Sequence, residues 1–283
     1  MKYVFHLRYV FARKAKSCSM LGLDNSPKPS IMVAANGARR SKEHHPRLPI
    51  SLDEILLETQ ACAAAGAQAL HLHIRDEAGQ HTLDAGRYRE TLREIERVLP
   101  GFPVQVTTES AGIFEVQAQL ECLRALEPKA ASISVREIAR DVTLARMVYG
   151  QCADAGTHVQ HILYNMDDWH QFRAWQNDGT INAGQDDVIL VLGKYAPPRN
   201  AMQSDLADFV SVFNQACGRV MVCAFGRVEH QVLCAAAAMG ADLRIGFENN
   251  IYGEDGRLAV SNADQIARLV AAIPSLNAKG ISS

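Results

Sequence analysis

The sequence predicts an α/β protein with a single (β/α)8 barrel, the TIM-barrel fold class. Short segments rich in β-branched residues alternate with longer segments of helical periodicity from residue 31 onward. Eight such pairs within about 250 residues match the size of this barrel. The competing fold, a doubly wound open sheet, commonly carries a GxGxxG loop after its first strand. Residues 36–49 read NGARRSKEHHPRLP instead, which favours the barrel.

The predicted strands and helices follow one another along the whole chain. Strands are predicted over residues 31–36, 69–75, 103–109, 131–137, 158–164, 187–193, 219–226 and 243–248. Helices are predicted over residues 52–66, 86–99, 115–127, 141–156, 167–177, 204–217, 229–240 and 262–273. Ser51 and Glu54 form a capping-box pattern at the start of the first helix. Gly66 and Gly240 each stand between a helix and the next strand, where glycine commonly ends a helix.

Residues 1–30 differ from the rest of the chain. They contain several lysines and arginines and no acidic residue before Asp24. We expect a loosely ordered N-terminal extension over residues 1–30, because unanchored termini are commonly disordered. A transit-like or amphipathic surface segment is the alternative. The barrel domain is expected to cover residues 31–280.

The composition argues against two classes of partner. The net charge of the 283 residues is −2, whereas nucleic-acid-binding proteins are usually basic. No apolar run reaches the length of a membrane span, so no membrane partner is expected. The seven cysteines are odd in number and include no CxxC pair. Their pattern predicts a cytoplasmic protein without a disulfide framework.

The segment HLHIRD contains the strongest functional signal. Side chains alternate along a strand, so His71 and His73 point to the same face. Glu248 ends the eighth predicted strand, and only the first strand separates it from the second strand in a closed barrel. Two imidazoles and a carboxylate that leave a coordination position open are typical of catalytic zinc. Nickel, cobalt and iron(II) also accept these ligands, and histidines bonded to backbone carbonyls are the structural alternative.

Other polar residues lie on the same faces of the predicted strands. Arg244 shares the parity of Glu248 and would place a cation in the same pocket, unless it forms an interior salt bridge. Hydroxyl groups at the strand ends would be costly inside a barrel unless they are hydrogen-bonded to the backbone or to a polar ligand. Such hydroxyl groups belong to Thr107, Ser110, Ser132 and Ser134. The basic residues after the first strand, Arg39, Arg40 and Lys42, are candidates for binding a phosphate or carboxylate or for a solvated loop.

Several motifs resemble those of one enzyme family. They are NGARRSKEHHPRLPIS, AGAQALHLHIRDEAGQHTLD, LVLGKYAP, CAFGR and LRIGFENNIYGEDGRLAVSNADQIARLV. Together they resemble the β-keto acid cleavage enzymes, the family that includes 3-keto-5-aminohexanoate cleavage enzyme. The resemblance covers about residues 31–273, which is nearly the whole predicted barrel.

The resemblance implies a metal-dependent barrel enzyme that forms homo-oligomers, with a dimer and a tetramer both compatible. The implied reaction condenses a β-keto acid with acetyl-CoA and yields acetoacetate and a new acyl-CoA. The implied cofactor is Zn²⁺ or another divalent metal, and the residues that match its ligands are His71, His73 and Glu248. Arg244 matches a catalytic arginine of the family. The residues that match substrate contacts are Thr107, Ser110 and Ser132.

The chain departs from the family pattern at the proposed base. An aspartate often follows the metal-binding glutamate, and here the residue is Asn249, which cannot act as a general base. Glu109 stands where glycine is common. We expect either that Glu109 is the base, or that Asn249 orients the substrate while Asp76 or His161 takes the proton.

Further departures concern the substrate. Arg39 replaces a glutamate near the metal, and with Arg136 it suggests a more acidic substrate group. Glu137 is an added acid. Two alternative functions remain open at this point. One is a CoA-independent zinc C–C lyase or hydrolase, and the other is a catalytically inactive metal-binding barrel that acts as a sensor or scaffold.

Overall fold

The computed structural model describes residues 29–194 and 198–273. Its strands are β1 (Ile31–Ala34), β2 (Ala69–Leu72), β3 (Ile74–Arg75), β4 (His81–Thr82), β5 (Val104–Thr107), β6 (Ala130–Ser134), β7 (His158–Leu163), β8 (Val188–Leu192), β9 (Val220–Ala224) and β10 (Asp242–Ile245). Its helices are α1 (Leu52–Ala65), α2 (Ala85–Val98), α3 (Val116–Leu126), α4 (Val135–Ile138), α5 (Val142–Asp154), α6 (Met166–Asn177), α7 (Asp205–Asp208), α8 (Val210–Gln215), α9 (Glu229–Ala238) and α10 (Asn262–Ala272).

Eight of these strands close into a parallel barrel. The order around the ring is β1-β10-β9-β8-β7-β6-β5-β2, and β1 pairs with both β10 and β2. The register places Val33 beside Ile245 on one side and beside Leu70 on the other. The predicted (β/α)8 fold class is therefore confirmed.

Several predicted segments differ in detail. The strand expected over 69–75 ends at Leu72, and β3 turns away from the barrel to form a small antiparallel hairpin with β4. The strand expected over 131–137 ends at Ser134, where the chain enters α4. The helix expected over 204–217 consists of α7 and α8, because Phe209 between them departs from helical backbone angles.

The core has two layers because alternate strand residues face opposite sides. Val33 and its counterparts on other strands pack outward against the helices. A smaller apolar cluster fills the barrel interior, and it includes Met32, Ile189 and Met221. Buried strands on both faces are typical of parallel sheets covered by helices.

Local signals in the sequence explain where α1 begins and ends. The Ser51 hydroxyl accepts a hydrogen bond from the Glu54 N–H, and the Glu54 carboxylate accepts one from the Ser51 N–H, which completes the capping box. Gly66 ends α1 with a φ of 115°, a backbone conformation that residues with a Cβ atom rarely adopt. This cap delivers the chain directly into β2.

The predicted N-terminal extension, residues 1–30, lies almost entirely outside the described residues, and the predicted barrel is described as far as residue 273. Within residues 29–194 and 198–273, the thiols of Cys62, Cys122 and Cys152 are buried and free. No helix in this part of the chain is long and apolar enough to cross a membrane.

Candidate metal centre and active site

The two histidines of the HLHIRD segment lie at the carboxyl end of β2. His71 is on the strand and His73 follows it, and both side chains are almost fully buried. Their Nε2 atoms are 3.2 Å apart. As strand alternation predicts, both imidazoles point toward the barrel axis and converge on one point.

Glu248 approaches the same point from the loop after β10, because the strand predicted over 243–248 ends at Ile245. Its Oε2 atom lies 3.5 Å from His71 Nε2 and 3.4 Å from His73 Nε2. Two glycines allow this approach. Gly37 packs against the Glu248 side chain, and a Cβ atom on Gly37 would come within 2.6 Å of Glu248 Cγ. A Cβ atom on Gly246 would collide with the Ala34 carbonyl oxygen, and Gly246 has a φ of 145° that favours glycine.

The spacing of the three donor atoms fits a tetrahedral ion. His71, His73 and Glu248 are grouped so that one nitrogen or oxygen atom of each could contact a shared metal. Zinc binds such atoms at about 2.0–2.2 Å, so tetrahedral geometry separates them by about 3.3–3.6 Å. The measured separations are 3.2, 3.4 and 3.5 Å. The residues present therefore fit zinc, with one position left for a substrate.

A chain of amide side chains orients His71. Its Nδ1 atom lies 2.9 Å from Gln105 Oε1, and Gln105 Nε2 donates to Gln160 Oε1 at 3.1 Å. Because Nδ1 donates its proton to the amide oxygen, Nε2 carries the lone pair that a metal needs. Burial, together with the nearby Arg244, lowers the pKa of His71 to about 3, so the imidazole is neutral.

Arg244 supplies a buried cation beside the cluster. Its Nη2 atom donates to Glu248 Oε1 at 3.1 Å and to Cys223 Sγ at 3.4 Å. Burial opposes ionisation of Glu248, but the Arg244 guanidinium beside it holds the pKa of this carboxyl well below its usual range. Within the described residues, Nε and Nη1 of Arg244 have no hydrogen-bond partner. These N–H groups are available to an anionic ligand.

The cluster opens into a cavity of about 190 Å³ at the carboxyl ends of the strands. This face carries the active site in (β/α)8 enzymes. The lining residues are Arg39, His71, Thr107, Glu109, Ser134, Arg136, Glu137, Ile162, Tyr164, Val191, Lys194, Phe225, Arg244 and Glu248. The cavity therefore combines the candidate metal ligands with charged groups of both signs.

Glu109 stands beside the candidate metal ligands. Its Oε2 atom lies 3.8 Å from His73 Nε2, and its Oε1 atom lies 3.6 Å from Arg39 Nη2. The Glu109 N–H donates to the Thr107 hydroxyl at 3.1 Å, which fixes the turn after β5. Burial raises the pKa of the Glu109 carboxyl. Three residues singled out from the sequence, Arg39, Thr107 and Glu109, thus share the cavity wall.

Three other predicted contact residues do not line the cavity. Ser132 lies on β6 inside the barrel, and its hydroxyl has no partner among the described residues. The Ser110 N–H donates to Glu137 Oε2 at 2.8 Å, so Ser110 supports the cavity wall from behind. Asn249 is fully buried in the turn after Glu248, and its side-chain amide has no partner in the described part of the chain.

The two alternative bases lie away from the cavity. His161 is on β7 but points outward, where its ring packs 4.6 Å from the Phe172 ring. Its Nε2 atom is 3.1 Å from the Gln185 carbonyl oxygen. Asp76 lies in the turn between β3 and β4 and accepts a hydrogen bond from the Gln80 N–H. Of the acids and bases considered as proton acceptors, Glu109 has the cavity position.

Sequence reasoning missed Tyr164 and Lys194 in the wall opposite β1. Arg136 lies in α4, pairs with Asp168 at 2.6 Å and stacks 4.3 Å above the Tyr164 ring. Lys194 also lines the cavity. Tyr164 directly follows β7, and Lys194 follows β8. These positions were the available signal, because the carboxyl ends of barrel strands surround the site.

A closed parallel barrel with these groups at its carboxyl face belongs to the class of (β/α)8-barrel enzymes. A family model described as beta-keto acid cleavage enzyme matches residues 28–282. The chain therefore belongs to the β-keto acid cleavage enzyme family, and the resemblance seen in the sequence is confirmed.

Named relatives agree with this assignment. The chain is 27% identical over 251 residues to a 3-keto-5-aminohexanoate cleavage enzyme of Fusobacterium nucleatum, covering 85% of this chain and 89% of the relative. It is 25% identical over 252 residues to a 3-oxoadipate:acetyl-CoA acetyltransferase of Cupriavidus necator, covering 85% and 87%. These relatives are enzymes that act on β-keto acids, and the name of the second includes acetyl-CoA.

Solved structures share the fold. A binary complex of ObcA with oxaloacetate superposes with a TM-score of 0.61 at 15% identity, covering 80% of this chain. The match spans 63% of ObcA, so this chain corresponds to less than two thirds of that protein. A 3-dehydroquinate dehydratase from Geobacillus kaustophilus superposes with a TM-score of 0.58 at 10% identity, covering 87% of this chain and 92% of that one. At these identities the likeness concerns the fold alone.

Proposed function

We propose that this chain is a zinc-dependent β-keto acid cleavage enzyme that condenses a β-keto acid with acetyl-CoA. The products are acetoacetate and the acyl-CoA of the remaining substrate fragment. One observation carries this proposal: His71, His73 and Glu248 converge at the base of a cavity that also holds Arg244 and Glu109.

His71, His73 and Glu248 would hold the metal. When bound, Zn²⁺ supplies a Lewis acid that polarises oxygen atoms of a substrate. Other divalent metals accept the same ligands, but the donor spacing favours tetrahedral zinc. The Gln105 amide supports this role because it directs the His71 lone pair toward the shared point.

In the proposed reaction, Glu109 takes a proton from the carbon between the keto and carboxylate groups. The resulting carbanion attacks the thioester carbonyl of acetyl-CoA and forms a new carbon–carbon bond, and the thioester C–S bond breaks to release the CoA thiolate. The CoA thiolate then attacks the original keto carbon, whose bond to the central carbon breaks. Glu109 returns its proton to that central carbon, which completes acetoacetate. The carboxylate of Glu109 suits this role because it borders the cavity and lies within 3.8 Å of His73.

The remaining residues bind and stabilise charge. Arg244 offers two N–H groups without partners in the described structure to the developing oxyanion. Arg39 and Thr107 contact the substrate from the cavity wall. The cavity lining does not include Ser110, Ser132 or Asn249, so direct contact between them and the substrate would require a change in the cavity wall.

Two further properties complete the proposal. We expect a cytoplasmic homo-oligomer, either a dimer or a tetramer, with acetyl-CoA as co-substrate. The free buried thiols agree with a reducing compartment, and the name of the Cupriavidus necator relative includes acetyl-CoA. Light scattering of the purified protein during size-exclusion chromatography measures the number of subunits.

A substrate panel tests the proposed reaction. The zinc-loaded protein is incubated with 3-oxoadipate, 3-keto-5-aminohexanoate and 3-dehydrocarnitine, each with and without acetyl-CoA, and acetoacetate is measured. Product that depends on acetyl-CoA supports the proposal. Cleavage without CoA would support a lyase or hydrolase, and tight zinc binding without turnover would support an inactive metal-binding barrel.

Two substitutions make the panel specific to the cluster. His71→Gln removes one candidate ligand and should abolish both zinc binding and turnover. His158→Gln is the matched control, because His158 is an exposed histidine at the amino end of β7, whereas the cavity lies at the carboxyl ends of the strands. Equal loss in both variants would contradict the proposed site.

A further inference from the structure

The third polar residue of the HLHIRD segment, Arg75, has no part in the reaction proposed above. Its side chain is 7% exposed, although arginine is rarely buried without partners. Its Nη1 atom donates to the Gly79 carbonyl at 2.9 Å, and its Nη2 atom donates to the Arg40 carbonyl at 3.0 Å. Nη2 also donates to the Gly37 carbonyl. Arg75 therefore ties the β3–β4 hairpin to the loop after β1.

A second arginine continues this connection to the loop that carries Glu248. Arg40, whose carbonyl oxygen Arg75 holds, donates from its side chain to the Phe247 carbonyl. It also donates to the Asn249 carbonyl at 3.2 Å. The two accepting carbonyls flank Glu248 in the chain. Arg40 therefore fixes the backbone on both sides of the candidate ligand.

The loop after β1 also contacts the His73 backbone and the Glu248 side chain directly. Asn36 Nδ2 donates to the His73 carbonyl at 3.3 Å and to the Pro49 carbonyl at 2.9 Å. Gly37, whose carbonyl Arg75 holds, abuts the Glu248 side chain. A displacement of this loop would therefore move Glu248 relative to the histidines.

We propose that Arg75 and Arg40 form a two-arginine relay that sets the position of Glu248 relative to His71 and His73. Both are positioning residues, because they bind backbone carbonyls of the loops that carry or contact Glu248. Their guanidinium groups suit this task because each offers several N–H donors in a fixed plane, whereas lysine offers a single mobile ammonium. The inference rests on the proposed metal site and extends it to residues outside the cluster.

The test measures zinc affinity by competition with a chromophoric chelator in Arg75→Lys, Arg40→Lys and the double variant. Substitution of groups that orient metal ligands commonly weakens binding by about 10–100-fold, and we expect each single variant to fall in this range. Because the two arginines act in series, the double variant should bind zinc about as weakly as the weaker single variant. Arg87→Lys is the control, since Arg87 pairs with Glu77 on the nearby surface and should leave zinc affinity unchanged.

Zinc affinity within about threefold of the unsubstituted protein in both single variants would overturn the relay. Fully additive losses in the double variant would overturn it as well, because they would show two independent supports. If Arg75→Lys does not fold, as judged by circular dichroism, Arg40→Lys alone decides the matter by the same threshold.

A crystal structure of metal-free Arg40→Lys separates the relay from the proposed function. If the unsubstituted protein binds no zinc, the proposed metal site fails, but the relay still predicts that Glu248 moves away from the two imidazoles in the variant. Unchanged distances of about 3.4–3.5 Å between these groups would overturn the relay.

Discussion

Gly37→Ala tests whether close packing against Glu248 is needed for metal binding. Gly37 has a φ of 65°, and a side chain in this left-handed region costs about 1–2 kcal/mol. The new methyl group would also stand 2.6 Å from Glu248 Cγ, whereas ordinary contact begins at 3.4 Å. One of the two groups must therefore retreat by about 0.8 Å, which exceeds the variation of about 0.2 Å that metal–ligand bonds tolerate.

We expect Gly37→Ala to lower the free energy of unfolding by about 1–2 kcal/mol and to weaken zinc binding at least tenfold. Chemical denaturation of the metal-free protein gives the first quantity, and chelator competition gives the second. Gly101→Ala is the matched control, because Gly101 has a φ of 75° and nothing within 4 Å of the added Cβ. The control should lose similar stability and keep its zinc affinity. Equal zinc affinity in the two variants would refute the steric reasoning.

Three further predictions concern the base, the metal and a surface ion pair. Glu109→Gln should lower kcat/KM by about 10²–10⁴-fold while zinc remains bound, and full turnover would remove Glu109 from the mechanism. When zinc is present at about 100 times its dissociation constant, its removal should lower the free energy of unfolding by about 2.7 kcal/mol. Calorimetry should show this loss as a fall in Tm of about 5–10 °C. An unchanged Tm would mean that no metal stabilises the fold. A hydrogen bond with Asp187 raises the pKa of His158, so this pair stabilises the folded state fully below about pH 6.5 and loses its effect as the pH rises through the raised pKa. Urea denaturation from pH 6 upward measures the difference in the free energy of unfolding between the unsubstituted protein and His158→Gln. This difference should shrink as the pH rises, and a constant difference would contradict the pairing.

The candidate metal cluster could be predicted because it depends on short-range alternation and on ring closure. His71 and His73 are two residues apart on one strand, so their common direction follows from strand geometry alone. The prediction that Glu248 joins the two histidines required the fold class as well, since only a closed barrel brings the end of β10 close to β1 and β2. Once the barrel is predicted, little freedom remains for these three side chains.

The rest of the cavity wall depends on where each strand stops, which alternation does not reveal. Strand parity through residue 137 places Arg136 on the face of Ser132, but the chain leaves the sheet at Ser134 and turns into α4. Arg136 is then directed by its pairing with Asp168 and its contact with Tyr164, and both partners are distant in sequence. Such long-range polar pairs leave no periodic pattern for sequence reasoning to detect.

The β10–β1 junction has a consequence for how the site comes into existence. His71 belongs to the first third of the chain, whereas Arg244 and Glu248 belong to the last barrel strand, β10, and the loop after it. During translation, a partly made barrel would display both imidazoles without their acidic counterpart and would hold divalent ions weakly. Full affinity for the metal would arise only when β10 and the loop after it are in place. Metal binding would therefore indicate that the barrel has closed.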